Sequence, residues 1–195
     1  TNELMETNAQ DNRILLTPQN IEQYNNPLVD ADKSCEENFN FDSADTIVEY
    51  INEEKGISVL FPFNKKWGSD NYRVNPFDEY INPGDNLVDF VTFGPIGAGE
   101  ACGWGRDARL IFGKSRSAEQ IVEYLKGDPN YYAIIKPEVL TINSFTVVKW
   151  TDYGLCSSPN LEVVGKNINY NFRLDCSREN HDYLLNIVRT VKFTQ

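Results

Sequence analysis

The 195-residue chain is long enough for one domain of ordinary size with an appendage, and its eleven Phe, ten Tyr and three Trp can build a dense core. With 18 Lys and Arg against 29 Asp and Glu, the formal charge is −11, which disfavours nucleic acids and anionic membrane surfaces as partners. No stretch approaches the roughly 18 apolar residues of a membrane span. A membrane tether would therefore need a lipidated N-terminus, either upstream of the chain or removed from it.

Residues 1–44 are richer in Asn, Asp and Glu than an average domain. Thr17-Pro18 could begin a short helix, with Pro in its first turn. We predict a polar, Asn-rich N-terminal extension over residues 1–44, lying on the domain or acting as a tether. Residues 45–195 are predicted to form a single domain.

Within that domain, runs of β-branched and aromatic residues predict strands. The predicted strands are 46–51, 57–61, 87–93, 109–112, 139–142, 145–150, 161–164, 168–174 and 191–193. Glycines in the turns 53–56 and 165–167 predict β-hairpins, and Pro62 is expected to end the second strand. Apolar and polar residues alternate in 168–174, which predicts one buried and one wet face.

Two helices are predicted among these strands. Ser117 caps the first, Gln120 completes a capping box and Gly127 ends it. The second covers residues 179–190, with apolar residues on one face. Long helices do not alternate with strands, so the predicted class is α+β, with a mainly antiparallel sheet flanked by helices.

Three segments resemble PsbP-like domains. The segment 50–62, with the pattern N-E-x-x-G and a later Pro, is followed by Trp67 and resembles their opening hairpin. The segments 117–125 and 183–194 resemble their central helix and their closing helix and strand. The resemblance implies an α/β/α sandwich and a small exported prokaryotic lipoprotein. Photosynthetic members assist a manganese–calcium site, but none of their functional positions matches a residue here, and the cysteines and the Asn-rich N-terminus depart from the pattern.

The four cysteines are Cys35, Cys102, Cys156 and Cys176. None has C-x-x-C spacing, which argues against a zinc ribbon, and an even number of scattered cysteines favours two disulfides in an oxidising compartment. Cys156 and Cys176 flank the second hairpin and are predicted to pair, which leaves Cys35 for Cys102. The alternative is four buried thiols in a cytosolic protein.

Few residue patterns point to catalysis or to a metal. Asp30 and Asp32 begin like a calcium loop, but the positions that need Gly and Glu hold Cys35 and Phe41. His181 is the sole histidine and no G-x-S-x-G serine accompanies it. No catalytic residue, metal ligand or cofactor is therefore predicted. The acidic pairs Glu53-Glu54 and Asp78-Glu79 could serve glycoside hydrolysis, although such pairs are expected by chance.

The segment from Gly94 to Arg109 is the best candidate for recognition. It places Trp104, Arg106 and Arg109 in or beside a glycine-rich loop, and Trp and Arg are frequent at binding hot spots. We predict that these three residues contact a ligand or partner. The opposing interpretation is that Trp104 packs on the edge of the core and Arg106 pairs with nearby acids.

The sequence thus favours an exported, extracytoplasmic, non-catalytic binding or accessory protein that a lipid anchor could tether. Its partner, a protein or a small molecule, is not specified by any motif. Two alternatives stay open: a cell-envelope hydrolase that uses a carboxylate pair, and a calcium-dependent adhesion or structural module.

Overall fold

The computed structural model describes residues 13–20, 46–63, 73–75, 89–93, 108–127, 136–153, 157–174 and 181–194. In these ranges the chain forms two sheets and two helices. In chain order the elements are β1 (Arg13–Leu16), β2 (Thr46–Asn52), β3 (Ile57–Phe63), β4 (Arg73–Asn75), β5 (Asp89–Phe93), β6 (Ala108–Lys114), α1 (Ala118–Leu125), β7 (Glu138–Ile142), β8 (Phe145–Tyr153), β9 (Ser157–Val163), β10 (Ile168–Leu174), α2 (His181–Val188) and β11 (Lys192–Phe193).

The smaller sheet has the strand order β1-β2-β3-β11. Its centre is the predicted hairpin, in which Gly56 adopts φ +70° at the turn, a conformation that glycine reaches without steric cost. Strand β3 continues through Pro62 to Phe63, so the expectation that Pro62 ends it was wrong. Strand β1 lies parallel to β2 and comes from the segment predicted as an extension, and its Leu16 is fully buried in the core.

The larger sheet has the order β4-β5-β6-β10-β9-β8-β7, and every neighbouring pair of its strands is antiparallel. On one face Tyr170, Phe172 and Leu174 enter the main core, as their alternation predicts. The opposite face is less exposed to solvent than predicted, because Asn169 on the same strand is completely buried.

The two helices cover opposite faces of the larger sheet. Helix α1 begins with the predicted capping box of Ser117 and Gln120, and it packs a separate apolar cluster against β8. Helix α2 lies against β9, β10 and β3 and adds Leu184, Ile187 and Val188 to the main core. The predicted α+β class, a mainly antiparallel sheet flanked by helices, is confirmed.

Candidate functional site

Of the predicted contact residues, Arg109 lies within the described chain, whereas Trp104 and Arg106 lie outside it. So do the four cysteines, Cys35, Cys102, Cys156 and Cys176. Arg109 is the second residue of β6 and is half-buried. The structure therefore describes the surroundings of Arg109, while the predicted loop contacts and disulfide pairs stay predictions.

Arg109 belongs to a row of paired residues that crosses five strands. From β8 to β5, the successive Cα partners are Trp150, Asn160, Arg173, Arg109 and Thr92. Side chains of directly opposed residues on antiparallel strands start about 4.5–5.5 Å apart at Cβ, so opposed like charges are unfavourable unless something compensates them. Two arginines thus stand side by side in a chain of net charge −11.

Asp152 supplies the compensating charge on one side of the arginine pair. Its Oδ2 lies 3.0 Å from an Nη of Arg173 and accepts a hydrogen bond from Nδ2 of Asn160 at 3.2 Å. Its Oδ1 accepts from the indole Nε1 of Trp150 at 3.1 Å. Three neighbouring strands therefore contribute donors to one carboxylate, and this fixes the direction of the Arg173 guanidinium.

The amide of Asn160 is oriented unambiguously by these contacts. Its nitrogen donates to Asp152 and to the carbonyl oxygen of Ser158, at 3.2 and 2.8 Å. Its oxygen must then accept, and Nδ2 of Asn171 donates to it at 3.3 Å. Because Asn160 is fully buried, the polar face is held rigidly at its centre.

Another carboxylate, that of the buried Glu162, ties this face to the start of α1. Its Oε1 accepts a hydrogen bond from Nδ2 of Asn169 at 2.7 Å, and its Oε2 lies 3.6 Å from the Arg116 guanidinium. Asn169 also donates to the backbone carbonyl of Arg116 at 3.0 Å. The residues just before the helix are therefore locked to the middle of the sheet.

The predicted recognition loop starts and finishes at one end of this sheet. Phe93 and Ala108 are Cα partners, so the chain between them leaves β5 and re-enters β6 at that end. Tyr153 and Ser157, which flank residues 154–156, pair there as well, and Leu174 pairs with Ala108. Trp104, Arg106 and three of the cysteines thus belong to connections that begin at the end of the sheet where Arg109 lies.

The remaining candidate groups from the sequence are the two acidic pairs, the Asp30–Asp32 segment and His181. Glu53 and Glu54 are exposed in the β2–β3 turn, and Glu54 lies 3.6 Å from the ammonium group of Lys55. Asp78-Glu79 and the Asp30–Asp32 segment lie outside the described residues. Nε2 of His181 is 3.0 Å from the carbonyl oxygen of Trp150, so this half-buried ring links α2 to β8.

The described part of the chain also carries two tyrosines with perturbed titration. Burial raises the pKa of the Tyr183 phenol well above its usual range, and it raises the pKa of Tyr170. Neither ring belongs to the Asp152 network. Among the described residues, no group of three or more His, Cys, Asp or Glu side chains could hold a metal ion. Within the same residues, every helix is too short or too polar to cross a bilayer.

The sequence singles out Arg109 as a predicted contact, but it does not single out Asp152, Asn160 or Arg173, which lie in the same polar network or beside it. A weak signal was present in the polar positions that alternate with apolar ones along β10, and in Trp150 and Asp152, which are two residues apart on β8. The sequence does not show the strand register that pairs β6 with β10.

The chain shows little similarity to known proteins. No family model matches the chain, and no curated protein matches it. Among solved structures, the chain is similar to the solution structure of cyanobacterial PsbP from Synechocystis sp. PCC 6803, with a TM-score of 0.46 and 8% sequence identity over 75% of this chain and 92% of that one. That cyanobacterial protein bears the name of the family that the hairpin and helix motifs resemble.

Proposed function

We propose that this chain is an exported, non-catalytic binding or accessory protein that recognises an anionic group on its partner at the Arg109 end of the larger sheet. The observation that carries this proposal is the cross-strand pair of Arg109 and Arg173 in an acidic chain. Guanidinium groups bind carboxylates and phosphates through two parallel hydrogen bonds, and they do so best when already oriented. Asp152 provides that orientation for Arg173.

The proposed surface includes Trp104 and Arg106. Their connection begins and ends beside the arginine pair, and an indole and a further guanidinium would add apolar contact and charge to the same contact region. Asp152 already accepts bonds from Trp150, Asn160 and Arg173, which suits a positioning role better than general acid–base catalysis.

Export and a lipid tether form the second part of the proposal. The even number of scattered cysteines supports an oxidising compartment. The gene sequence around the codon for Thr1 tests this directly. We expect it to encode a signal sequence with a lipidation cysteine, and a cytosolic start with four free thiols in the purified protein would contradict the proposal.

The binding surface is tested with Arg109→Lys and Trp104→Ala. Lysine keeps the positive charge but lacks the planar fork, so Arg109→Lys should weaken the partner complex by about tenfold while the melting temperature stays near that of the parent protein. Lys149→Ala is the matched control, because Lys149 lies on the opposite face of β8 from Trp150 and Asp152. Binding would be measured by titration with the partner isolated from the native envelope. Reduced stability with unchanged affinity for both variants would reject the proposal.

A further inference from the structure

The opposite end of the larger sheet carries a second surface with a different character. Here β6 ends at Lys114, the β9–β10 turn passes through Lys166, and β8 begins at Phe145. Strand β11 of the smaller sheet reaches the same place, because Phe193 stacks on Tyr170 with ring centroids 5.3 Å apart.

Aromatic rings reach the surface at this end. Phe193 lies 4.7 Å from Phe145 between ring centroids, and 36% of its surface remains exposed. Phe145 is half-buried, and Tyr170 lies beneath Phe193 with 5% exposed. The two phenylalanine rings thus form an apolar edge that the buried Tyr170 ring supports.

Four basic residues belong to the strands and turns that meet at this end, and we call them the cationic face: Lys114, Lys166, Arg189 and Lys192. Lys192 precedes Phe193, and Lys114 is the Cα partner of Ile168. Lys166 follows Gly165, where an added Cβ would lie 2.8 Å from the Tyr170 ring. The backbone carbonyl of Arg189 accepts a hydrogen bond from Asn143, two residues before Phe145, at 2.6 Å.

All four side chains of the cationic face are exposed. Over the described ranges, none of the four forms an ion pair, whereas Arg13, Lys55, Lys126 and Lys149 each lie within 4.0 Å of an acid. Glu53 and Glu54 are the acids of the neighbouring β2–β3 turn, and Glu54 is the one that faces Lys55. The cationic face is therefore a local excess of positive charge on a molecule whose net charge is −11.

We propose that the cationic face, with Phe145 and Phe193, binds an acidic protein segment that carries an apolar side chain. Complementary charge speeds the encounter and fixes orientation, and a fixed aromatic edge supplies the apolar contact that holds the complex. A short acidic segment fits better than an anionic bilayer, because a broad surface would also meet the acidic remainder of this chain. This surface lies at the far end of the sheet from Arg109 and does not depend on the function proposed there.

A labelled synthetic peptide of alternating Glu and Ser with one central Phe serves as the probe. Its binding to the full chain is followed by fluorescence anisotropy at low and at physiological salt. Lys166→Glu combined with Lys192→Glu should weaken binding by at least about tenfold. Lys126→Glu combined with Lys136→Glu changes the net charge equally but lies outside the cationic face, so the affinity should stay within about twofold of the parent value.

The apolar part of the proposal is tested on the ligand, which avoids any effect on folding. Replacing the central Phe of the peptide by Ser should lower its affinity by several-fold, and the loss should persist at high salt. Three results would overturn the proposal: no salt-dependent binding by the parent chain, equal weakening by the two double variants, or tighter binding to phosphatidylserine vesicles than to the peptide.

Discussion

Asp152 accepts hydrogen bonds from three side chains that come from three neighbouring strands, so its carboxylate joins β8, β9 and β10 on one face of the sheet. Its side chain is 21% exposed, and that of Arg173 is 30% exposed. A charge-assisted contact in this setting is only partly screened by water, and we therefore expect it to matter more than the ion pairs at the surface.

Asp152→Ala removes the acceptor that Trp150, Asn160 and Arg173 share. We expect a loss of about 1–3 kcal/mol in the free energy of unfolding, measured by urea denaturation. Glu138→Ala breaks the ion pair with Lys149. Because the Glu138 side chain is 58% exposed, this variant should lose less than about 1 kcal/mol in the free energy of unfolding. Equal losses in the two variants would mean that the network adds nothing beyond a surface ion pair.

Tyr183 gives the chain a defined response to alkali. Because burial raises the pKa of this phenol in the folded state, its contribution to stability is complete below the unfolded pKa of about 10 and is lost as the pH rises further. Urea midpoints measured from pH 8 upward should fall above about pH 10, and Tyr183→Phe should reduce that fall. Tyr124→Phe, at a residue that is 43% exposed, is the control and should reduce the fall less than Tyr183→Phe does. A Tyr183→Phe profile that matches the parent chain would assign the alkaline loss to other groups.

At the scale of elements, the sequence predicts best what local contacts decide. Ser117 and Gln120 bond to each other's backbone within one turn, so the start of α1 could be recognised from four residues. Strand β1 could not be recognised in this way, because its partner lies more than thirty residues away, as the pairing of Arg13 with Ile47 shows. The Arg109–Arg173 pair depends likewise on two strands meeting across a long separation in the chain.

The β9–β10 turn offers a test of how tightly the larger sheet is built. An added Cβ at Gly165 would collide with the Ile168 carbonyl oxygen and lie 2.8 Å from Tyr170 Cε2. Gly165→Ala should therefore destabilise the fold by about 1–3 kcal/mol in urea denaturation, because the nearest obstacle is backbone. Gly113→Ala on β6 meets its nearest atom at 3.9 Å and should be nearly neutral. A neutral Gly165→Ala would show that the turn relaxes freely.

At the scale of the whole molecule, the cysteines are the residues that bear most directly on the cellular compartment. Cys156 directly precedes β9 and Cys176 comes two positions after the end of β10, at the same end of an antiparallel pair. We expect a Cys156–Cys176 disulfide, which would close about 20 residues and stabilise the fold by roughly 3 kcal/mol. Peptide mapping without reductant measures the pairing, and the remaining bond should join Cys35 to Cys102. Four free thiols would contradict both bonds and weaken the case for export.

Leu16 of β1 belongs to the Asn-rich segment 1–44, yet it is buried in the core. The folding unit therefore starts before residue 45, where the composition changes. A shortened protein that begins at residue 45 would keep every predicted strand, yet it would lose Leu16 from the core and the β1 ladder from β2. Strand β2 would then present unpaired backbone groups beside Val48 and Tyr50, and such an edge invites pairing with other molecules. The smallest soluble fragment should therefore retain the residues from Arg13 onward, and deletion to residue 45 should yield aggregates on size-exclusion chromatography.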